Sequence, residues 1–203
     1  MKALLQAAFD ASLLTASHSV FFRLPGTDII RGMCSEHLHP GAAEKSGFIV
    51  QPYNPHEEPE VIIPEIKFTS ASHTFLETYY ENDFTERYQA MFRHCIENAA
   101  DLRCTPFYQP NTDEDTSQAA YAESVEKALD AIRSGKVNKL VCSRIKRFSC
   151  DTNRHISALF MQICAAYPGA FVVLLSSPHY GTWLGASPEV LLEQNGSSFH
   201  TVS

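Results

Sequence analysis

"AFVVLLSSPHYGTWLGAS", residues 170–187, decides the fold class. "AFVVLLSS" is a short apolar run rich in Val and Leu, and it reads as a strand buried on both faces. Ser-Pro-His-Tyr-Gly supplies turn chemistry, and "GTWLGAS" reads as the partner strand that returns beside the first. A strand that doubles back this soon is antiparallel, because parallel neighbours need a long crossover. Downstream, "EVLLEQNGSSFHTVS" repeats the pattern as two strands joined at Asn195-Gly196, a hairpin signal.

Upstream, the spacing predicts a helix over about 154–167 that packs through Ile156, Leu159, Phe160 and Ile163 and stops at Pro168-Gly169. "KVNKLVCSRIKRF", residues 136–148, reads as a strand over its apolar part. Strand alternation would put Lys139, Val141 and Ser143 on one face and Leu140, Cys142 and Arg144 on the other. The clearest helix precedes it. Asp115 or Thr116 can cap it, Tyr121, Val125, Ala128, Leu129 and Ile132 form one stripe, and Gly135 ends it. A further helical spacing runs through Tyr88, Met91, Phe92, Cys95 and Ile96. "HSVFFRLPG", "DIIRGMCSE", "SGFIVQPYN" and residues 61–63 read as strands closed by turn residues.

"MKALLQAAFDASLL" is interrupted by Gln6 and Asp10, so it reads as an amphipathic helix with Leu4, Leu5, Ala8, Leu13 and Leu14 near one face, not as a signal peptide. The order is mixed α+β. The turn-rich "TPFYQPNTDEDTSQ" is the natural internal boundary, which divides an α+β region, 1–114, from a second region, 115–203, within one structural unit.

Composition narrows the class of partner. The 203 residues suffice for one substantial core, and 44% apolar with 19% charged residues is ordinary for a folded soluble chain. No run is long enough to span a bilayer, so a cytoplasmic address is expected. The net charge of −7 argues against nucleic acid or an anionic membrane as partner. Yet Arg133, Lys136, Lys139, Arg144, Lys146 and Arg147 fall within residues 131–150 with no acidic residue among them. Charge alone favours a solvated edge over an anion site. The six cysteines show no Cys-x-x-Cys pair and read as free, mostly buried thiols. His37 and His39 would share one face of a strand, as metal ligands could, but the pattern suggests no further partner for them and no metal site is assigned.

Two stretches carry the function. "KVNKLVCSRIKRF" resembles the Lys-Val-Val-Leu-Ser-Arg segment of chorismate-utilising enzymes, and "FVVLLSSPHYGTWLGASPEVLLEQNG" resembles the stretch that leads into their Gly-Ala-Ser-Pro-Glu. The helix before the first motif and "SGFIVQPYN" are similar too. The resemblance implies an antiparallel-sheet fold flanked by helices, like anthranilate synthase component I. It also implies that this chain is the amino-terminal half of an isochorismate synthase, its second region being the first part of the chorismate-binding catalytic domain. Members that add ammonia to chorismate carry glutamine where this chain has Lys139, whereas isochorismate and salicylate synthases carry lysine.

By the same resemblance, Lys139 is the general base that activates water for attack at C2, and Glu189 is the general acid that protonates the departing C4 hydroxyl. An ordinary lysine titrates near ~10.4 and a glutamate near ~4.3, so each starts in the wrong protonation state. Burial would shift both usefully, by up to ~3–5 units.

The family's Mg²⁺ ligands are expected beyond Ser203, where its Leu-Ala-Gly-Thr should begin, so the chain looks cut and is expected to be inactive alone. Chorismate is the expected substrate, a missing carboxy-terminal half the expected partner, and menaquinone or siderophore production the expected setting. A salicylate synthase, or a non-catalytic module of a split enzyme, is the alternative reading.

Overall fold

The computed structural model describes residues 1–41, 46–52, 56–71, 75–98, 108, 115–148, 155–188 and 193–200. The chain divides into two compact units: Met1–Pro110 with Thr152–Ser203, and Asn111–Asp151.

The first unit is built on a six-stranded, wholly antiparallel sheet. Its strands are β1 (His18–Arg23), β2 (Ile30–Ser35), β6 (Ile66–Thr69), β7 (Leu76–Thr78), β8 (Phe171–Ser177) and β9 (Gly181–Ser187). The spatial order is β7-β6-β2-β1-β8-β9. The expected hairpin is present, with Phe171 opposite Ser187 and Ser177 opposite Gly181. A small sheet of β3 (His39–Pro40), β4 (Phe48–Val50) and β5 (Glu60–Ile62) has the order β3-β5-β4. A hairpin of β10 (Glu193–Asn195) and β11 (Ser198–His200) turns through Gly196, whose φ of 61° suits a residue without a Cβ. Helices and antiparallel sheets are thus combined as expected.

Alternation along the strands gives the large sheet two faces. Phe21, Cys34, Ile66, Phe68, Val172 and Leu174 point to one, where they join buried residues of the helices α1 (Lys2–Leu14), α2 (Asp83–Glu97) and α4 (Ile156–Ala166) in the main core. Val20, Phe22, Met33, Val173 and Leu175 point to the other and pack with Phe48, Val50 and Ile62 of the small sheet. A run of rings from Phe9 through Phe21, Phe68 and Tyr88 to Phe84 joins helix to sheet to helix, each neighbouring pair with centroids within 6.3 Å.

α1 is buried over most of its circumference, Asp10 and Ser12 included, while Leu14, expected on the apolar face, is exposed. Its buried polar atoms are satisfied. Ser12 Oγ lies 3.0 Å from Tyr88 Oη and donates to the Ala8 carbonyl, and Gln6 donates to Asp10 at 2.8 Å. α2 begins with a capping box: the Asn82 side chain accepts from Thr85 N, and Thr85 Oγ1 accepts from Asn82 N.

The second unit holds α3 (Gln118–Arg133) and the segment that follows it. The cap is Ser117, whose side chain accepts from Ala120 N, in place of Asp115 or Thr116. The predicted stripe is present but thinly covered: Tyr121, Val125 and Ala128 are half-buried, and Leu129 and Ile132 are exposed.

One expectation fails. Residues 139–148 form neither strand nor helix. No strand among the described residues pairs with them, and an unpaired strand leaves its amides and carbonyls without a ladder. Val141 and Phe148 stand 82% and 81% exposed, so no described residue covers the apolar pattern that suggested a strand.

Gly32 marks a tight point of the main core. It pairs with Phe21 on one side and Phe68 on the other, and the two rings meet over it with centroids 5.2 Å apart. A Cβ there would stand 2.8 Å from Phe21 Cδ1 and 2.9 Å from Phe68 Cδ2. Gly32→Ala should therefore cost about 1–3 kcal/mol of overpacking. Urea unfolding would show this as a lower midpoint, and an unchanged midpoint would mean the rings can move aside.

Candidate functional site

The first of the two motif residues, Lys139, follows the end of α3. α3 closes at Ser134, Gly135 takes the left-handed conformation at φ 72°, and the chain runs on through the basic segment. This segment is tied back to the start of α3. Thr116 N donates to the Ile145 carbonyl at 2.9 Å and Ile145 N donates to Thr116 Oγ1 at 3.3 Å. Arg147 N donates to Asp115 Oδ1 at 3.3 Å, and Lys146 Nζ lies 3.4 Å from Asp115 Oδ2. Asp115 and Thr116 therefore fasten the basic segment to the helix entrance.

The cations of this stretch are shared out. Arg133 pairs with Asp130 at 3.3 Å, Lys146 with Asp115, and Arg144 lies 5.7 Å above the Tyr121 ring. Each contact is exposed and contributes little to stability. They give these three cations a local structural occupation. The Lys139 side chain is exposed as well. The desolvation that general-base chemistry asks of it is absent among the described residues.

The second motif leaves the sheet along β9. Trp183 is 58% exposed and donates its indole N–H to the Tyr180 carbonyl at 2.6 Å, Leu184 packs against the main core, and the strand ends at Ser187. Pro188 is the last described residue before Glu189, which lies outside the described residues. The structure thus describes the strand that leads toward Glu189 in the chain and the backbone around Lys139.

A polar cluster that sequence reasoning missed sits at the β8–β9 turn. The buried Ser177 hydroxyl lies 2.8 Å from His18 Nδ1 and accepts from the amides of His179 at 3.1 Å and Tyr180 at 3.2 Å. Tyr180 Oη donates to Glu60 Oε2 at 2.5 Å, and the His179 ring meets the Tyr180 ring edge-on at 4.7 Å. Burial, then the bond to Glu60 and its charge, push the Tyr180 phenol up to about 12. A serine before Pro-His-Tyr-Gly is a turn-capping signal. Nothing in the sequence joins it to a histidine at position 18.

His37 stands in the loop between β2 and β3, 3.8 Å from Glu36, and His39 lies on β3. Among the described residues, no group of three or more His, Cys, Asp or Glu is arranged to hold a metal ion. Nor is any helix among them long and apolar enough to cross a membrane.

With this geometry in hand, comparison with protein families is informative. The model of the chorismate binding enzyme family matches residues 42–203, a stretch that includes both motifs. The chain belongs to the chorismate-binding enzyme family. Comparison with curated proteins and with solved structures gave no match. The matched region takes in β4 to β9 and all of the second unit, whereas α1, β1, β2 and β3 precede it. Family membership makes a chorismate-utilising activity the coarse functional conclusion.

The described cysteines carry free thiols. Burial pushes the Cys34 thiol up to about 12, against hydrogen bonds from Ser17 and Ser12, and burial pushes Cys95 up to about 11. Cys142 is only half-buried. Iodoacetamide at mildly alkaline pH should therefore alkylate Cys142 while sparing Cys34 and Cys95 until the chain unfolds. Peptide mass mapping reads the order, and early modification of Cys34 would contradict the core packing around it.

Proposed function

We propose that this chain carries the acid–base pair of an isochorismate synthase, which converts chorismate to isochorismate in menaquinone or siderophore production. The observation that carries the reading is Lys139 in "KVNKLVCSR", within a chain of the chorismate-binding enzyme family. It is the position at which the resemblance places glutamine in ammonia-adding members. A lysine there offers a base for water.

In this reading, neutral Lys139 takes a proton from water as the water oxygen bonds to C2 of chorismate. The ring double bonds shift, the C4–oxygen bond breaks, and Glu189, initially protonated, gives its proton to the departing hydroxyl. One water enters and one leaves, so the reaction is an isomerisation. Proton transfer at both oxygens is what the barrier needs, because water is a weak nucleophile and hydroxide a poor leaving group. Magnesium and a cytoplasmic location belong to the same proposal. The described residues offer no set that fits the metal, and both steps run through Lys139 and Glu189.

The test is turnover of chorismate with Mg²⁺ by the full-length protein and by its Lys139→Ala and Glu189→Gln variants, followed by chromatography of the products. Each substitution should lower turnover by about 10²–10⁴-fold, the usual contribution of a positioned acid or base. Undiminished isochorismate formation by Lys139→Ala would overturn the assignment. Release of pyruvate would redirect it to salicylate synthesis.

A further inference from the structure

The hydroxyl that fastens the β8–β9 turn has no hydrogen-bonding capacity to spare. A serine hydroxyl offers one O–H and two lone pairs. The amides of His179 and Tyr180 both point at Ser177 Oγ, which leaves its O–H for the remaining neighbour, His18 Nδ1, at 2.8 Å. Nδ1 must then be the bare, accepting nitrogen, and the ring proton of neutral His18 sits on Nε2. An imidazolium carries N–H at both nitrogens and cannot accept. A proton on Nδ1 would therefore aim a third donor at an oxygen already committed to two.

The groups around His18 are drawn from several elements. Glu60 of β5 favours the charged ring, while burial and the nearby His179 of the turn and His37 of the β2–β3 loop oppose it. Burial is the largest of these influences, and the His18 imidazole is held below its ordinary value. Glu60, the one anion among them, is the same carboxylate that accepts from Tyr180. The turn, the start of β1 and the small sheet thus meet in one hydrogen-bonded chain, from His18 through Ser177 to the backbone of Tyr180, and from its phenol to Glu60.

We propose that His18 is a proton-sensitive latch: as the neutral imidazole it holds the Ser177 hydroxyl and the β8–β9 turn, and as the imidazolium it releases the turn and loosens the Tyr180–Glu60 bond between the two sheets. The sign follows from linkage. A histidine whose folded-state pKa lies below its unfolded value stabilises the fold fully above about 6.5, and that contribution is lost as pH falls through the folded-state value. The latch is closed at neutral pH and opens on acidification.

An NMR pH titration of the 203-residue chain tests this. The His18 ring should titrate with a midpoint below 6.5, and the Tyr180 amide should shift with the same midpoint. At high pH the His18 ring nitrogens should report the tautomer protonated on Nε2. The His179 ring lies close by, so His18→Asn isolates the contribution of His18: its Oδ1 can take the place of Nδ1 as an acceptor without titrating. In that variant the Tyr180 response should vanish. A midpoint at or above 6.5, an Nδ1-protonated neutral ring, or an unchanged Tyr180 response in His18→Asn would each overturn the latch. The first two need only the unaltered protein.

Discussion

The pairing of β1 with β8 is the constraint on which the first unit depends. Val20 lies opposite Leu175, Phe21 opposite Leu174, and Arg23 opposite Val172, across most of the length of the chain. Closing so large a loop costs entropy, although that cost grows only slowly with length. Each fully buried large apolar side chain contributes about 1.5–3 kcal/mol, and this pairing buries such side chains on both faces at once. Phe21 and Leu174 enter the helix-covered core, while Val20 and Leu175 enter the core beneath the small sheet. The buried Arg23 adds a polar clasp at the end of β1. Its guanidinium donates to the carbonyls of Tyr167, at 2.5 Å, and Ala170, at 2.8 Å, so the corner between α4 and β8 is fixed to β1. Without this join β8 and β9 would be a hairpin with no sheet to belong to, and a lone hairpin is marginal in water.

That join also bears on the proposed chemistry. β9 is the strand that delivers the chain to Ser-Pro-Glu, and it does so as the outermost strand of the sheet that β1 and β8 hold together. The other motif belongs to the second unit, where the basic segment is pinned to the entrance of α3 through Asp115 and Thr116. Acid–base work on chorismate asks for an amine without its proton and a carboxyl with one. Both states require shelter from water. The described residues leave Lys139 in solvent, so the proposed role rests on an enclosure that these residues do not themselves form.

Much of the fold was legible in the sequence because its strongest elements announce themselves locally. Apolar runs closed by Pro-Gly, Ser-Pro-His-Tyr-Gly and Asn-Gly marked β1, the β8–β9 hairpin and the β10–β11 turn, and helical spacing marked the four helices among the described residues. The strands β3, β6 and β7 were missed, since two to four residues are too few for alternation to show. Residues 139–148 were misread for the opposite reason: alternation was present, but a strand exists only where a neighbour pairs with it. The cap of α3 was misplaced by one or two residues because Asp115, Thr116 and Ser117 are all competent caps and tertiary contacts decide among them. At the candidate site, the two motif residues were legible only by resemblance. The Ser177–His18 contact spans strands distant in sequence and left no local mark at all.

The most direct test of the account is the register of β1 against β8, read from cross-strand nuclear Overhauser contacts in the isotopically labelled chain. The account predicts antiparallel contacts with Val20 opposite Leu175 and Phe21 opposite Leu174. A register slipped by one residue would turn Phe21 and Leu174 away from each other's face of the sheet. That slip, or an absence of contacts between residues 19–23 and 172–176, would contradict the account at its foundation.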